Sequence, residues 1–583
     1  MRDYLLRTAV LTGTAAIAIT ELLSPFHLLT RWPLAAAWLI AVALFAWAGP
    51  RIALKGRIRP LEAAFAAVVA AIGAVIAFTA ILSPPNSADA MAYHLPRVVY
   101  WAQSGSVAFF PTPYLNQIML QPLAEYFMLH TYVLTGGDRW INLLAFAAYA
   151  GCVVGVSAIA GAFGLSSRSQ AWAALFSATL PNAILQASGA KNDLLLAFWL
   201  VCAVYFAARR EAKWLAISTA LALATKGTAY LFLPPLLVYA VVILPRRQLV
   251  WIPAAVCLLN GPQYLRNLQL SGSPLGFDSA QGDGVFRWRN EHLSWKPAVS
   301  NALRHASEQL GARSPRWNQS VYDAVIRIHR VLAIDPQDRD TTWPGARYAP
   351  PLNANHEANA NNRWHLLLIL AAAILAAATR NRRWTLYAAA LLAAFLLFCL
   401  YLKWQPFLAR LELPLFVLAA PLAALLVEKL RHPAVAVILA LFLVNNARPA
   451  LFENWTRPLK GPHSLLATAR DDNYFSDMSQ WNNRASYVEA VDRTARSGCA
   501  QIGLDISENQ LEYPFQALLR ERNPKVRFVH TGVTNASAQY AASDVSAPCA
   551  VLCPDCIANQ QKIARYREIG PPVEIGRFLL FLR

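Results

Sequence analysis

Long apolar runs recur along most of this chain, and they constrain its fold more than any other feature of the sequence. We place them near residues 4–22, 34–49, 61–82, 141–163, 170–187, 193–208, 214–228, 229–244, 248–260, 364–379, 384–402, 412–427 and 433–447. A helix of about twenty apolar residues crosses the hydrocarbon core of a bilayer, and shorter helices need somewhat fewer. The pattern therefore predicts an α-helical polytopic membrane protein with about thirteen transmembrane helices.

The charge of the chain agrees with a membrane location. Of the 583 residues, 56% are hydrophobic and only 15% are charged, while the formal net charge is +19. A basic chain can bind nucleic acid, but here the basic residues form short clusters between apolar runs, which is the positive-inside pattern of cytoplasmic loops. The clusters are Arg51, Lys55, Arg57 and Arg59; Arg209, Arg210 and Lys213; Arg246 and Arg247; Arg380, Arg382 and Arg383; Lys429 and Arg431. We expect the lipid bilayer as a partner and no nucleic acid.

These clusters also assign a side to each loop. With a cytoplasmic N-terminus and a retained first span, loops 83–140 and 261–363 lie outside, and so do residues 448–583. A Pro-bounded helix within the first loop is predicted to lie on the outer membrane surface. We predict two domains, a transmembrane domain over 1–447 that includes both external loops, and a periplasmic α/β domain over 448–583. The membrane is then a bacterial-type cytoplasmic (inner) membrane.

The predicted outer domain contains short β-type runs and one helix. The strands are expected at Ala500–Asp505, Lys525–His530 and Ala547–Cys553, and the helix at Asn509–Arg522. Alternating strands and helices are typical of a small α/β domain.

Eight cysteines divide between the two parts of the chain. Cys152, Cys202, Cys257 and Cys399 lie in apolar runs, where cysteine is a small packed side chain. Cys499, Cys549, Cys553 and Cys556 lie in the outer domain, where disulfides, a redox pair or half of a zinc site are all possible. An oxidising compartment favours disulfides. We predict the pairs Cys499–Cys549 and Cys553–Cys556.

The stretch Ser83–Trp101 follows the third run and carries Asp89 at its centre. Pro84 and Pro85 cannot donate backbone hydrogen bonds and end the helix, and Asn86 and Ser87 are suitable caps for a new one. Asp89 and Tyr93, four residues apart, would share one helix face. Two interpretations remain at this point: Asp89 has a chemical role, or it only complements a helix dipole.

Four more ionisable residues fall at the same predicted face as Asp89. They are Asp193, Lys226, Arg266 and Arg410. Each has a structural explanation, since Asp193 could cap a helix, Lys226 and Arg266 could reach lipid headgroups, and Arg410 could pair with Glu412. Ionisable residues at membrane depth are nonetheless costly, and two carboxylates with three cations at one face fit a phosphorylated amphiphile.

The ordered series of these residues resembles the C-type membrane glycosyltransferases, in the branch of protein O-mannosyltransferases and bacterial aminoarabinose transferases of lipid A. It comprises Asp89, then Gln121-Pro122-Leu123, Arg139 with Asn142, TLPNAILQASGAKNDLLLAFW around Asp193, LALATKGTAYLFLP around Lys226, and the Arg410 segment. The likeness covers residues 60–260 well, residues 405–425 loosely, and the long loop and the tail hardly at all.

The resemblance implies a C-type glycosyltransferase fold and roles for matched positions. It implies that Asp89 is the catalytic base and that Lys226 and Arg410 lie near a lipid phosphate. The other residues expected to bind substrate are Tyr93, His94, Arg97, Gln121, Glu125, Asp193 and Arg266. The sequence departs from the family pattern at Ala90, where an acid often follows the base, and at Gln121-Pro122-Leu123, where Pro-Pro is usual. These departures bear on the donor sugar and on any metal bound by a second acid.

The preferred function is that of an inverting glycosyltransferase. It would move a sugar from a polyprenyl-phosphate donor to an extracytoplasmic acceptor, which could be an envelope glycan, a lipid or a protein. A lipid phosphate leaving group needs cations, so we expect no cofactor and no obligatory metal. The alternatives are a transporter or flippase for lipid-linked saccharides, for which repeated halves are typical, and a non-catalytic partner in envelope assembly.

Overall fold

The computed structural model describes residues 1–48, 59–279, 287–430, 432–477, 480–507, 510–541, 547–554 and 556–583. Most of the predicted basic cluster between the second and third runs (Arg51, Lys55 and Arg57) lies outside these residues, as does Arg431. The helices are α1 Arg2–Leu23, α2 Arg31–Ala48, α3 Pro60–Leu82, α4 Leu95–Ser104, α5 Asn116–Met119, α6 Leu123–Thr135, α7 Leu143–Ala162, α8 Ser167–Ala178, α9 Pro181–Gln186, α10 Asp193–Ala208, α11 Ala212–Thr225, α12 Ala229–Ile243, α13 Trp251–Ser271, α14 Trp295–Gln309, α15 Pro315–Val331, α16 Arg363–Ala378, α17 Arg382–Tyr401, α18 Leu413–Leu418, α19 Ala420–Leu430, α20 Pro433–Phe452, α21 Arg484–Arg496, α22 Tyr513–Arg522 and α23 Gln560–Tyr566.

Each apolar run of the sequence forms a helix or a broken helix pair, and the protein is a multi-pass membrane protein by length and composition. Among the described residues, 5 helices are long and apolar enough to cross a membrane, or up to 6 if the bent pair Leu408–Leu418 and Ala420–Leu430 forms one span. Further apolar helices, including α2, α10, α11, α12 and α16, are shorter. The total of about thirteen spans stays a prediction.

The ends of the helices meet in two separate groups, as the predicted alternation of sides requires. At the predicted cytoplasmic end, Arg7 of α1 pairs with Glu211 at 2.5 Å. The Ser166 hydroxyl, before α8, donates to Glu428 of α19 at 2.6 Å. At the opposite end, Asn142 donates to the Ser83 carbonyl oxygen at 2.9 Å. The geometry thus supports the alternation, while the assignment of one end to the cytoplasm stays a prediction.

Three predicted runs differ in detail from the observed helices. The run near 170–187 is broken between α8 and α9, because Pro181 disfavours helical geometry at Leu180, whose backbone is extended. The run near 248–260 continues through Gly261 and Pro262 as far as Ser271. The last run extends to Phe452 rather than 447.

The helical core is closely packed around α10, whose residues are buried along almost the whole helix. Glycines on α7 allow this approach. A Cβ atom at Gly151 would lie 2.5 Å from the Phe198 ring, and one at Gly155 would overlap Val201. Helices that contain small residues at such contacts can bring their backbones close together.

The C-terminal α/β region, which the sequence predicts to lie outside the membrane and which is called the outer domain below, contains a five-stranded sheet in the order β2-β1-β3-β5-β4. The strands are β1 Gln501–Leu504, β2 Arg527–His530, β3 Ala550–Cys553, β4 Pro572–Ile575 and β5 Phe578–Leu582. β1 pairs in parallel with β2 and β3, and β5 pairs antiparallel with β3 and β4. The first three strands and α22 are as predicted, whereas β4, β5 and α23 were not anticipated.

Both predicted disulfides are confirmed. Cys499 is bonded to Cys549 with a Cα–Cα distance of 5.7 Å, and Cys553 to Cys556 with a distance of 5.5 Å. Cys152, Cys202 and Cys399 are free and buried as predicted, whereas free Cys257 on α13 is exposed on the surface of the protein. Because the four outer cysteines are consumed in pairs, a zinc site built on their thiolates is not formed.

Two buried carboxylates attach the outer domain to the first external loop. Asp138 accepts hydrogen bonds from the hydroxyls of Tyr474 at 2.6 Å and Tyr513 at 2.9 Å. Glu512 is fully buried and accepts from the Tyr100 hydroxyl at 2.7 Å and the Gln117 amide at 2.9 Å. These contacts place the outer domain directly over the segment that contains Asp89.

Candidate active site

The segment that follows α3 leaves the helix at Pro84 and Pro85 and re-enters helical geometry at Ala88, directly before Asp89. Residues Ala90–His94 form a π-helical turn, a feature that often occurs at functional sites. The Ser87 hydroxyl accepts a hydrogen bond from the Ala90 N–H at 3.3 Å, as a cap should. The prediction that Asn86 also caps this turn is wrong.

Asn86 is instead occupied by the chain that follows α20. Its amide donates to the carbonyl oxygens of Thr456 at 3.1 Å and Asn473 at 3.0 Å, and to the Ser476 hydroxyl at 2.7 Å. The Ala88 N–H donates to Asp477 at 3.1 Å. The Asp89 segment is therefore held by residues 454–477, a contact that local sequence could not show.

Asp89 pairs with Arg410. The Arg410 Nη1 donates to Asp89 Oδ2 at 2.5 Å, and the two side chains are 18% and 22% exposed respectively. Burial is the largest single influence and favours the neutral acid, but the charges of Arg410, Lys191, His94 and Lys226 together outweigh it. The pKa of the Asp89 carboxyl is therefore held well below its usual range. The acid is ionised throughout the neutral range.

Arg410 keeps donors beyond this ion pair. Its Nε is buried and, among the described residues, has no hydrogen-bond partner. Guanidinium groups present several N–H donors in a fixed fork that suits carboxylate and phosphate oxygens. Arg410 can therefore hold Asp89 and offer further donors to a second anion.

Lys226 lies in the turn between α11 and α12 and contacts the start of α10. Its Nζ donates to Asp193 Oδ1 at 2.5 Å and to Asn192 Oδ1 at 2.9 Å. Asp193 is 2% exposed, and its Oδ2 has no partner among the described residues. Asp193, Lys226 and Arg410 act on one another electrostatically, so these residues and Asp89 belong to one cluster.

Two polar side chains border this cluster. Gln121 lies beside Gly227, where a Cβ atom would be 3.6 Å from the Gln121 Oε1. The Tyr93 ring packs against His94 with a centroid distance of 4.3 Å. Burial and the Asp89 charge raise the pKa of Tyr93 well above its usual value, so its hydroxyl stays protonated and able to donate.

A second charged group lies behind Asp89 and was not predicted. Glu357, in the long external loop, contacts Arg457 and pairs with Lys191 at 2.5 Å. Arg457 also donates to Asn86 Oδ1 at 2.8 Å and to the Ser188 hydroxyl at 3.0 Å. Glu357 and Arg457 are fully buried. Burial raises the pKa of Glu357, but Arg457 and Lys191 outweigh this and lower it to about 2.

His94, Arg97 and Glu125 form a separate, fully buried group. His94 Nδ1 lies 2.8 Å from Glu125 Oε1, and Arg97 Nη1 lies 3.5 Å from the same atom. Arg97 also donates to the carbonyl oxygens of Ile118 at 2.9 Å and Leu120 at 3.0 Å. The Arg97 guanidinium thus satisfies backbone carbonyl oxygens of the first external loop. His94 also contributes to the lowered pKa of Asp89.

Arg266 of α13 is paired away from the Asp89 cluster. It contacts Glu21 of α1 at 2.7 and 2.9 Å and the Tyr126 hydroxyl at 2.9 Å. Tyr126 donates to Glu21 as well. α6, which carries Tyr126, has one face buried in the protein. Of the five ionisable positions singled out in the sequence, four therefore meet, and Arg266 joins α1 to α6 and α13.

The arrangement combines a reactive carboxylate with cations at the mouth of a helical bundle. Asp89 is an ionised acceptor, Arg410 and Lys226 are donors of positive charge, and Tyr93 is a neutral donor. Such a set can hold a phosphate group and accept a proton from a nearby hydroxyl. Lys191, Glu357 and Arg457 were missed as site residues because their only sequence signal is a charged residue in a polar loop.

Comparison with solved structures gives a likeness over most of the chain. The crystal structure of ArnT from Cupriavidus metallidurans bound to undecaprenyl phosphate matches with a TM-score of 0.49 and 15% identity, covering 88% of this chain and 97% of that one. The apo structure of the same protein matches with a TM-score of 0.47 and 14% identity, covering 89% and 97%. In fold, this chain is similar to ArnT.

No family model matches the chain. No curated protein matches it either.

Proposed function

We propose that this protein is an inverting glycosyltransferase that moves a sugar from a polyprenyl-phosphate donor to an extracytoplasmic acceptor. The observation that carries the proposal is the Asp89–Arg410 pair, which joins a carboxylate to a cation with unused donors beside Lys226. A transferase of this kind needs both functions at one point, a base for the acceptor and positive charge for the leaving phosphate.

Arg410 and Lys226 are the groups proposed to hold the donor phosphate. Both are partly buried among other charges, and partly buried charge pairs interact more strongly than fully exposed ones because screening by water is weaker. Negative charge grows on the phosphate as the sugar departs, so fixed cations stabilise the transition state more than the ground state. Gln121, which lies beside Gly227, is proposed to contact the polar part of the donor.

Asp89 is proposed as the base. The acceptor oxygen bonds to the anomeric carbon, its proton passes to Asp89, and the bond from that carbon to the phosphate oxygen breaks. Attack opposite the leaving group inverts the anomeric centre, and polyprenyl phosphate leaves with both bonding electrons. Tyr93 is placed to donate a hydrogen bond to the sugar or the acceptor.

The remaining predicted site residues take supporting places in this proposal. Asp193 orients Lys226 through their 2.5 Å contact. His94, Arg97 and Glu125 shape the first external loop behind Asp89. Arg266 fixes α13 against α1 and α6. The hexosyl or pentosyl nature of the donor is left to experiment.

The test combines the purified protein with cellular lipids. A strain that lacks the protein is expected to accumulate one polyprenyl-phosphate sugar and to lose one sugar from an envelope component. The purified protein should transfer that sugar in vitro, and Asp89→Asn should reduce kcat by about 10²–10⁴. Asp340→Asn makes the same chemical change at an exposed outer position and should leave the rate unchanged.

Two outcomes would overturn the proposal. Near wild-type transfer by folded Asp89→Asn would show that Asp89 is not the base. Movement of an intact lipid-linked saccharide without glycosidic transfer would support the transporter alternative. Chelation of divalent cations is expected to leave activity intact, because the leaving group is a single lipid phosphate held by Arg410 and Lys226. Loss of activity that returns on adding a metal would contradict this part.

A further inference from the structure

α15 in the long external loop carries an unusual exposed face. Its N-terminus is capped by the Ser314 hydroxyl, which accepts a hydrogen bond from the Trp317 N–H, so the helix is well defined. Its apolar residues repeat at intervals of four and three positions, which places them in one stripe of an α-helix. The stripe consists of Trp317, Val321, Ala324, Ile328 and Val331.

This stripe is not the face that packs on the protein. Asn318, Val325 and His329 are buried and form the inner face of the helix. In the stripe, Trp317 is 47% exposed, Ile328 42% and Val331 81%. Trp317 makes one polar contact with the protein, since its Nε1 donates to the Leu310 carbonyl oxygen at 2.9 Å. The outer face is therefore distinct from the packed face, and it leaves the side chains of Trp317, Ile328 and Val331 largely exposed.

A row of arginines borders the exposed stripe on the side away from the protein. Arg316, Arg327 and Arg330 are exposed, and no carboxylate of the described residues pairs with them. An apolar stripe beside unpaired arginines is complementary to an anionic lipid surface, where side chains of Trp, Ile and Val enter the headgroup region and arginines contact phosphates.

α15 also lies near the depth at which a membrane surface is expected. Asn301 of the neighbouring α14 donates to the carbonyl oxygens of Cys399 at 2.9 Å and Leu402 at 2.8 Å, at the outer end of α17. α15 packs on α14 through a contact of 2.9 Å between Ser300 and His329. Because α17 is long and apolar enough to span a bilayer, α15 packs on a helix that contacts the end of a predicted span.

We propose that α15 is an interfacial anchor whose outer stripe enters the outer leaflet of the same membrane and whose arginines bind anionic phospholipid headgroups. The anchor holds the long external loop at the membrane surface. It rests on the exposure and charge of α15 and on its packing against α14 at the end of α17, and it is independent of the proposed glycosyl transfer.

The test measures the depth of two positions on α15 in the full-length protein. Cysteine is placed at Val331 on the stripe, or at Gln319 on the opposite exposed side, in a Cys257→Ala background that removes the exposed free thiol. A fluorescent label on each is examined in nanodiscs of zwitterionic and anionic phospholipids. Quenching by a lipid nitroxide near the headgroup is compared with quenching by aqueous iodide.

The label at Val331 should be quenched by the lipid nitroxide roughly threefold more than the label at Gln319, with the reverse order for iodide. Replacing Arg316, Arg327 and Arg330 by Gln should reduce this difference in anionic nanodiscs. Equal lipid quenching at the two positions, or strong iodide quenching at Val331, overturns the proposal. Shielding of Val331 from both quenchers indicates a protein partner and also overturns it. If Val331→Cys fails to fold, Ile328→Cys gives the same test.

Discussion

Arg410 donates to Asp89 at 2.5 Å although 321 residues separate the two along the chain. Asp89 lies in the segment that follows α3, and Arg410 lies just before α18. The pair sets the ionisation of Asp89, because without a cation the burial of the carboxyl would favour the neutral acid. Arg410 therefore controls the pH range in which Asp89 can act as a base.

Arg410→Gln is expected to move the acid limb of the pH profile of kcat/KM to higher pH. In the wild-type protein the pKa of Asp89 is lowered, so the basic form persists to low pH. Removing Arg410 takes away the strongest of the cations that oppose the effect of burial, so the pKa of Asp89 rises and its ionised fraction falls at acidic pH. Arg410→Lys keeps the charge and should keep the limb close to its wild-type position. An unchanged limb in Arg410→Gln would show that another group titrates.

Some of this site was predictable from sequence because its signals are local. Apolar runs and the basic clusters between them placed Asp89, Asp193, Lys226 and Arg410 at one end of the helices, and those side chains do meet. Arg266 satisfied the same criteria, yet it pairs with Glu21 of α1. The predicted side of the membrane tells us at which end of the helices a residue lies, but it does not tell us which of the residues at that end it contacts.

Other parts of the structure depend on long-range packing. Arg457 reaches Asn86 and Glu357 because the chain after α20 folds back over the first external loop. No local pattern marks this return. Strands β4 and β5 were also missed, since it is their pairing with each other and with β3 that defines them as strands.

Glu357→Gln should destabilise the protein at neutral pH by about 3–5 kcal/mol, because Arg457 and Lys191 would lose the anion that compensates their burial. Glu357 has a pKa of about 2 in the folded protein, below the usual value for glutamate. Its contribution is present above the pKa of the unfolded chain and is lost as pH falls through the folded value. Thermal unfolding of the two proteins should therefore converge between about pH 5 and pH 2.

A matched substitution identifies the cause of this effect. Glu574→Gln changes an exposed glutamate on β4 and should leave the unfolding temperature nearly unchanged at every pH. If Glu357→Gln loses stability equally at all pH values, the loss comes from packing rather than from the charge of Glu357.

The two disulfides should contribute unequally to the stability of the outer domain. Cys499–Cys549 closes a separation of 50 residues and Cys553–Cys556 one of 3. Loop-closure entropy gives about 4 kcal/mol for the first and about 2 kcal/mol for the second. Replacing each pair by serine and following denaturant unfolding of the outer domain should show the larger loss for Cys499 and Cys549. Mass spectrometry without reductant should find both pairs, and four free thiols there would contradict the structure.

Asp138→Asn should loosen the outer domain from the first external loop without unfolding the membrane helices. Asp138 accepts from Tyr474 and Tyr513 and pairs with Arg470 at 2.7 Å. Asparagine has one acceptor oxygen and no charge, so at least one of these contacts is lost, at about 1.5–3 kcal/mol for a hydrogen bond to a charged group. Hydrogen exchange should accelerate in peptides over 470–477 and 513–522.

The same experiment separates this attachment from general instability. Exchange in peptides from α7 and α10 should stay at the wild-type rate, because Asp138 precedes α7 and makes these contacts with the outer domain. Since residues 454–477 also hold Asn86, loosening of this segment should reach the turn that carries Asp89 and lower kcat more than it raises KM. Wild-type kcat together with fast exchange over 470–477 would show that the outer domain does not position Asp89.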